Sequence, residues 1–241
     1  MEFSCISDIG LYRDKNQDSY LVKKNQFGDF LAIVADGIGG GKAGEVASGQ
    51  LVKYFDTCFE QSGPFNSIDD AINFLEFHIE KANSEIYLNS LSDEKYAGMG
   101  TTLTGIMLTS CGAVSINVGD SRTYGFLDNK IFKLTYDHTL VNQMIENGQI
   151  TYEESLNHPK KHYLVKAIGI FDNVKPDVHK VKDMQYYLVC SDGLHGQCSD
   201  QEINAIVNNE KYTLEEKTCE LKDLALMKGG YDNITVVLVK V

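Results

Sequence analysis

Apolar and polar positions along this chain follow two different periods. Residues 18–23 alternate, and residues 30–35 form an unbroken apolar run, the pattern of a half-exposed strand followed by a buried one. From 43 to 59 the apolar positions Val46, Ala47, Leu51, Tyr54 and Phe55 recur at helical spacing, which predicts a helix. A second amphipathic helix is predicted over 68–91, with Asp69 and Asp70 near its start, where the helix dipole favours negative charge. Beyond residue 100 the pattern changes to short strands. Residues 101–108 and 113–118 are joined by a hairpin-like connection, and 122–126 and 130–133 form a second hairpin around Leu127, Asp128 and Asn129. A short helix over 140–147 is closed by Gly148. Strands follow at 178–181 and 186–190, helices at 201–208 and 213–227, and a β-branched closing strand at 234–241. Strands in hairpin groups and helices in pairs differ from strict strand–helix alternation. The expected class is α+β with antiparallel sheets, not a doubly wound parallel fold.

Composition narrows the function more than the fold. The 241 residues are 43% hydrophobic and 23% charged, as expected of a globular chain with a sizeable core. With only three prolines, no linker-like tract and no repeat, one domain over 1–241 is expected. Lys and Arg total 22 against 34 Asp and Glu, a formal charge of −12. That balance argues against nucleic acid or an anionic membrane as the main partner. Six cysteines form no C-x-x-C pair, so no zinc or redox signature is present. The sequence starting at Met1 shows no signal-peptide pattern and no run long enough to span a bilayer, so a cytoplasmic protein with reduced thiols is expected.

Four aspartates carry the most information. Asp36 ends an apolar run and precedes Gly37; Asp120 follows Val118 and Gly119; Asp192 follows Cys190 and Ser191 and precedes Gly193; Asp232 follows Gly229, Gly230 and Tyr231. In each, a strand supplies rigid backbone and a glycine lets it turn closely. Asp-Gly pairs are also ordinary turn chemistry. Four in one shared context instead suggest carboxylates converging at a sheet edge, where they repel one another unless a cation lies between them. An all-oxygen site suits Mg²⁺, Mn²⁺ or Ca²⁺. Upstream, the planar fork of Arg13 is a candidate phosphate clamp, and Asp18 precedes a strand from which it could face the same cations.

These segments together resemble the metal-dependent protein phosphatases of the 2C-like family in their small bacterial form. The resemblance runs from 7 to 239 and keeps the family's motif order. It rests on Arg13, Asn16, Gln17 and Asp18; on Val34 with Asp36, Gly37, Gly39 and Gly40; and on Gly44, Glu45 and Ala47. It continues through Gly100, Thr101 and Thr102; Gly119, Asp120 and Arg122; Asp137 and His138; Ser191, Asp192 and Gly193; and Asp232, Asn233 and Thr235. The resemblance implies two central antiparallel sheets packed as a sandwich and flanked on both sides by helix pairs. It implies protein serine/threonine phosphatase activity, in which a hydroxide bridging two Mn²⁺ or Mg²⁺ ions attacks phosphorus without a covalent phosphoenzyme. By motif position Asp36 would bridge the two metals and the Gly37 carbonyl would join the second. Asp192 and Asp232 would hold the first, and Asp18 would support the second. A third ion would use Asp120 and Asp192, and Arg13 would grip the phosphate. Residues 140–169 would form a flap beside the site. Implied partners are phosphorylated proteins and a cognate Ser/Thr kinase, with the enzyme itself a monomer in cytoplasmic signalling.

One departure from the family pattern stands out. Bacterial relatives often carry His where this chain has Gly41, so a proton donor for the leaving alkoxide is missing there. His138 and His195 lie near motif residues but need not replace it. Two rival readings remain. Gly39, Gly41 and Gly44 spell a dinucleotide-binding fingerprint, yet no second strand ending in an acidic residue follows within about 20 residues. A catalytically dead phosphoprotein binder is the other, opposed by the intact acidic set.

Overall fold

The computed structural model describes residues 1–38 and 43–241. The fingerprint glycines Gly39 and Gly41, and with them the Gly41 departure, lie outside the described residues. Two antiparallel sheets stand face to face. The first contains β1 (Glu2–Asp8), β11 (Ile234–Lys240), β10 (Tyr186–Cys190), β7 (Arg122–Leu127) and β8 (Lys130–Lys133), in that spatial order. The second contains β2 (Asp18–Lys24), β3 (Phe30–Ile38), β5 (Leu103–Thr109), β6 (Gly112–Val118) and β9 (Asp177–Val181), with β4 (Gly100–Thr101) pairing the end of β3. The helix pair α1 (Gly44–Glu60) and α2 (Ile68–Ser92) covers the second sheet, and α6 (Asp200–Val207) and α7 (Leu214–Met227) cover the first.

Strand periodicity builds these layers. Along β3, Leu31, Ile33 and Ala35 face Leu51, Phe55, Leu75 and Ile79 of the helices, while Phe30, Ala32 and Val34 face the opposite sheet. Along β11, Ile234, Val236 and Leu238 meet Ile203, Leu221 and Ala225, while Val237 and Val239 point into the sandwich. A strand buried on both faces reads as a continuous apolar run because successive side chains fill two different cores. Truncating one of these side chains to Ala costs about 2–5 kcal/mol. Helix starts are set locally: Thr213 with Glu216 and Ser199 with Glu202 form reciprocal capping boxes.

The sandwich expected from the resemblance is the observed architecture, and the antiparallel expectation from the element pattern holds at every strand pair described. Several boundaries differ. Asp36 does not end its strand: β3 runs on to Ile38 because β4 pairs Gly37 with Thr101 and Ile38 with Gly100. The strand expected at 101–108 is broken at Thr102, whose N–H donates to the Asp36 carbonyl at 2.8 Å. Asp192 opens a single helical turn, α5 (Asp192–His195), and is not followed by a bare turn. The edge strand β1 and the short helix α4 (Tyr152–Leu156), which accompanies α3 (Leu140–Glu146), have no counterpart in the sequence pattern. All six cysteines are free. Among the described residues no helix is long and apolar enough to cross a membrane.

Candidate metal centre

Register and strand ends bring the acidic residues together. Asp18 lies directly opposite Asp36 in the β2–β3 ladder. Asp192 follows the end of β10, and Asp232 precedes the start of β11, the neighbouring strand in the other sheet. The two sheets are stitched at this point by Ser191. Its hydroxyl donates to Asp18 Oδ2 at 2.7 Å and accepts from the Thr235 N–H at 3.0 Å. Asn233 fastens the N-terminal loop to the same corner: its Nδ2 donates to the carbonyls of Ile9 and Lys15, and its Oδ1 accepts from the Gln17 N–H. Close approach explains two glycines. A Cβ on Gly37 would collide with the Gly44 carbonyl, and one on Gly193 with the Asn233 carbonyl.

Arg13, Asp36, Gly37, Asp120, Asp192 and Asp232 line one cavity of about 870 Å³. Asp18 stands behind it and reaches the group through its ladder partner. Burial pushes the Asp18 carboxyl up to about 7, helped by Asp192 and Asp232, while the hydroxyls of Ser191 and Thr235 act the other way. Burial and then Asp232 push Asp192 up to about 6, against His162, Asp36 and Arg13. Asp36 is held well above the usual carboxylate range by burial and by the charges of Asp18, Asp192, Asp120 and Asp232. Asp120 is raised by burial, then by Asp192 and Asp137. Each carboxyl is thus penalised by its neighbours, the electrostatic pattern of a site that lacks positive charge.

A cation fits that deficit. Asp18 Oδ1 and Asp192 Oδ1 are both buried without a hydrogen-bond partner, and buried polar atoms are ordinarily satisfied. Hard oxygen ligands of this kind suit Mn²⁺ or Mg²⁺. Among the described residues no three such side chains are already gathered around one ion-sized point. The carboxylates of Asp36, Asp120, Asp192 and Asp232 instead line the walls of one cavity. Arg13 is paired directly with the acidic cluster: its Nη2 donates to Asp232 Oδ2 at 2.6 Å, which raises the Arg13 pKa further.

The two histidines weighed from sequence do not face the cavity. His138 Nδ1 accepts from the Gly119 N–H at 3.1 Å and its Nε2 lies 3.0 Å from Asp177 Oδ2. His195 Nε2 donates to the Asp120 carbonyl at 3.0 Å. The imidazole that does line the cavity is His162, beside Lys161, on the segment after α4. Sequence reasoning missed both; their only signal was membership of the 140–169 stretch. Nor does the sequence show that the Ser191 hydroxyl orients Asp18.

The dinucleotide-binding alternative fails on topology. Helix α1 is followed by α2 and by antiparallel strands, and among the described residues no parallel β-α-β unit occurs. Comparison with known proteins agrees with the other reading. The family model for protein phosphatase 2C matches residues 13–224.

The chain belongs to the protein phosphatase 2C family.

A serine/threonine phosphatase, stp, of Listeria monocytogenes is 35% identical over 236 residues, covering 97% of this chain and 93% of the relative. Protein phosphatase PhpP of Streptococcus pneumoniae is 35% identical over 241 residues, covering 99% of this chain and 97% of the relative. The crystal structure of serine/threonine phosphatase Stp1 from Staphylococcus aureus superposes with a TM-score of 0.93 at 34% identity, over 100% of this chain and 94% of that one. The catalytic domain of the serine threonine protein phosphatase PstP, in complex with two manganese ions, superposes with a TM-score of 0.84 at 30% identity, over 99% and 97% of the two chains. The family's sandwich therefore extends over this whole chain, and its acidic motif residues fall around one cavity.

Proposed function

We propose that this chain is a metal-dependent protein phosphatase that hydrolyses phosphoserine and phosphothreonine in other proteins. The observation that carries this reading is the pair of orphaned buried oxygens, Asp18 Oδ1 and Asp192 Oδ1, beside a cavity walled by Asp36, Asp120 and Asp232. Asp36 and the Gly37 carbonyl would bridge and complete a pair of cation sites. Asp192 and Asp232 would hold the first ion, Asp18 would support the second, and Asp120 with Asp192 would take a third. When bound, Mn²⁺ or Mg²⁺ lowers the pKa of water and neutralises phosphoryl oxygens.

The rest of the work falls to the chain itself. Ser191 fixes the rotamer of Asp18 by donating to Oδ2, which leaves Oδ1 aimed elsewhere. Arg13 is half-exposed at the cavity wall, and its tie to Asp232 is a single exposed ion pair. Such pairs are worth about 0–1 kcal/mol, so the guanidinium can leave Asp232 for a phosphate at little cost. Its planar fork matches two phosphoryl oxygens. Lys161 brings a further positive charge to the cavity wall, beside His162, where an anionic phosphopeptide would enter.

The whole chain, 1–241, acts as one catalytic domain, with 140–169 as its flap. That stretch is tied to the body at its roots by the Thr139–Leu164 bridge and by Ile168 pairing with Thr101. Phosphorylated proteins, including a Ser/Thr kinase acting in the same signalling circuit, are the expected cytoplasmic substrates, and the enzyme works as a monomer. The test is turnover of a phosphothreonine peptide and of p-nitrophenyl phosphate with Mn²⁺, with Mg²⁺ and with chelator. Hydrolysis that appears with either ion and vanishes with chelator supports the reading. Hydrolysis unaffected by chelator would refute it.

A further inference from the structure

Asp120 stands on a three-residue turn between the two sheets, leaving β6 at Val118 and entering β7 at Arg122. Its backbone is held from two sides by imidazoles. On one side His195 Nε2 lies 3.0 Å from the Asp120 carbonyl oxygen. A carbonyl only accepts, so Nε2 must carry the proton. On the other side the Gly119 N–H donates to His138 Nδ1 at 3.1 Å, and the backbone N–H of His138 donates back to the Gly119 carbonyl at 2.8 Å. With Nδ1 accepting, the His138 proton sits on Nε2 and faces Asp177 Oδ2 at 3.0 Å. Lys166 then pairs with Asp177 Oδ1 at 3.0 Å. Gly119 itself has φ +109, and a Cβ there would lie 2.6 Å from Thr102 Cγ2.

His195 is also the last residue of α5, whose first residue is Asp192. Residues three apart on a helical turn project from one face. The His195 hydrogen bond therefore links the helical turn that carries Asp192 to the loop that carries Asp120. Neither imidazole lines the cavity.

We propose that His195, backed by His138, is a positioning residue that sets the spacing between Asp120 and Asp192, and thereby the affinity for the ion those two carboxylates share. The inference rests on the reading of Asp120 as a metal ligand. Removing such outer hydrogen-bond partners typically costs 10–100-fold in metal affinity.

Titration of Mn²⁺ into the metal-free protein, followed by calorimetry and by the electron paramagnetic resonance signal of free Mn²⁺, separates the two ideas. Thermal melts of the metal-free variants are run alongside. Asp120→Asn is expected to lose the weakest class of bound ion. His195→Ala is expected to weaken that same class by about 10–100-fold and leave the tighter ions within about threefold. His195→Gln, whose amide can reach the same carbonyl, is expected to restore it. If the alanine variant does not fold, His195→Asn, with a shorter amide, replaces it. Loss of the weak ion in Asp120→Asn but not in His195→Ala overturns the positioning role and leaves the site reading standing. No change in any class for Asp120→Asn overturns the site reading and the inference with it. Equal weakening of every class in both His195→Ala and His195→Gln, with a matching drop in melting temperature, would show His195 to be merely structural.

Discussion

The Asp120 turn and the Arg13 loop approach the same cavity and are held in opposite ways. The turn is fixed by buried and half-buried bonds: His138 on both polar atoms of Gly119, His195 on the Asp120 carbonyl, Asn117 Nδ2 on the Gly119 carbonyl, and a Thr102–Ser121 hydroxyl pair beneath. The Arg13 loop has a fixed backbone, pinned by Asn233, but its functional side chain rests on one exposed contact with Asp232. A carboxylate that must meet a cation needs a rigid mount. A guanidinium that must leave a carboxylate for a phosphate needs a weak resting place. The division of labour is written into which bonds are buried.

The strongest way to break that scheme is to alter the floor. Asp36→Asn removes the charge that faces Asp18, Asp192, Asp120 and Asp232 together. Turnover with Mn²⁺ is expected to fall by at least about 10²-fold. The metal-free protein should nonetheless melt no lower than wild type, because folding no longer has to protonate a carboxyl whose pKa its surroundings raise. A variant that loses stability and keeps activity would contradict the assignment.

Acidity offers a second lever. The folded pKa values of Asp18, about 7, and Asp192, about 6, lie above the ordinary carboxylate value near 4. Groups raised in this way bind more protons folded than unfolded. Their stabilisation is full below about pH 4 and is lost as pH rises through 6 and 7. With chelator present, the melting temperature should fall over that window. Saturating Mn²⁺ should remove the fall, because cation binding favours the deprotonated carboxylates.

Ser191→Ala sharpens the comparison at the seam between the sheets. It leaves Asp18 Oδ2 and the Thr235 N–H without their partner, a loss of about 1–3 kcal/mol in denaturant unfolding. A cost below about 0.5 kcal/mol would show the stitch to be incidental. Arg13→Ala should change stability least, by about 0–1 kcal/mol, and should act on KM for a phosphopeptide. Unchanged KM and kcat together would make Arg13 a surface residue.

What the sequence disclosed follows the range of the forces involved. The layers were legible because each central strand fills two cores, and runs such as 30–35 record that directly. The acidic residues were legible because an aspartate beside a glycine at the end of an apolar run is a local pattern. The pairing of Asp18 with Asp36 was not, since register depends on the partner strand. The extension of β3 through Asp36 was hidden for the same reason: β4, more than sixty residues away, supplies the pairing. Strand β1 went unread because it is a sheet edge whose Phe3 is exposed. The roles of His138, His195 and Ser191 rest on contacts between distant segments, and no spacing in the sequence records them.

The central claim is that these buried carboxyls hold cations in place of protons. Calorimetric titration of Mn²⁺ into the metal-free protein, in two buffers of different ionisation enthalpy at pH 6 and pH 8, tests it directly. With Asp18 titrating at about 7 and Asp192 at about 6, binding should release protons at pH 6 and fewer at pH 8. Heats that do not depend on the buffer at pH 6 would contradict the account.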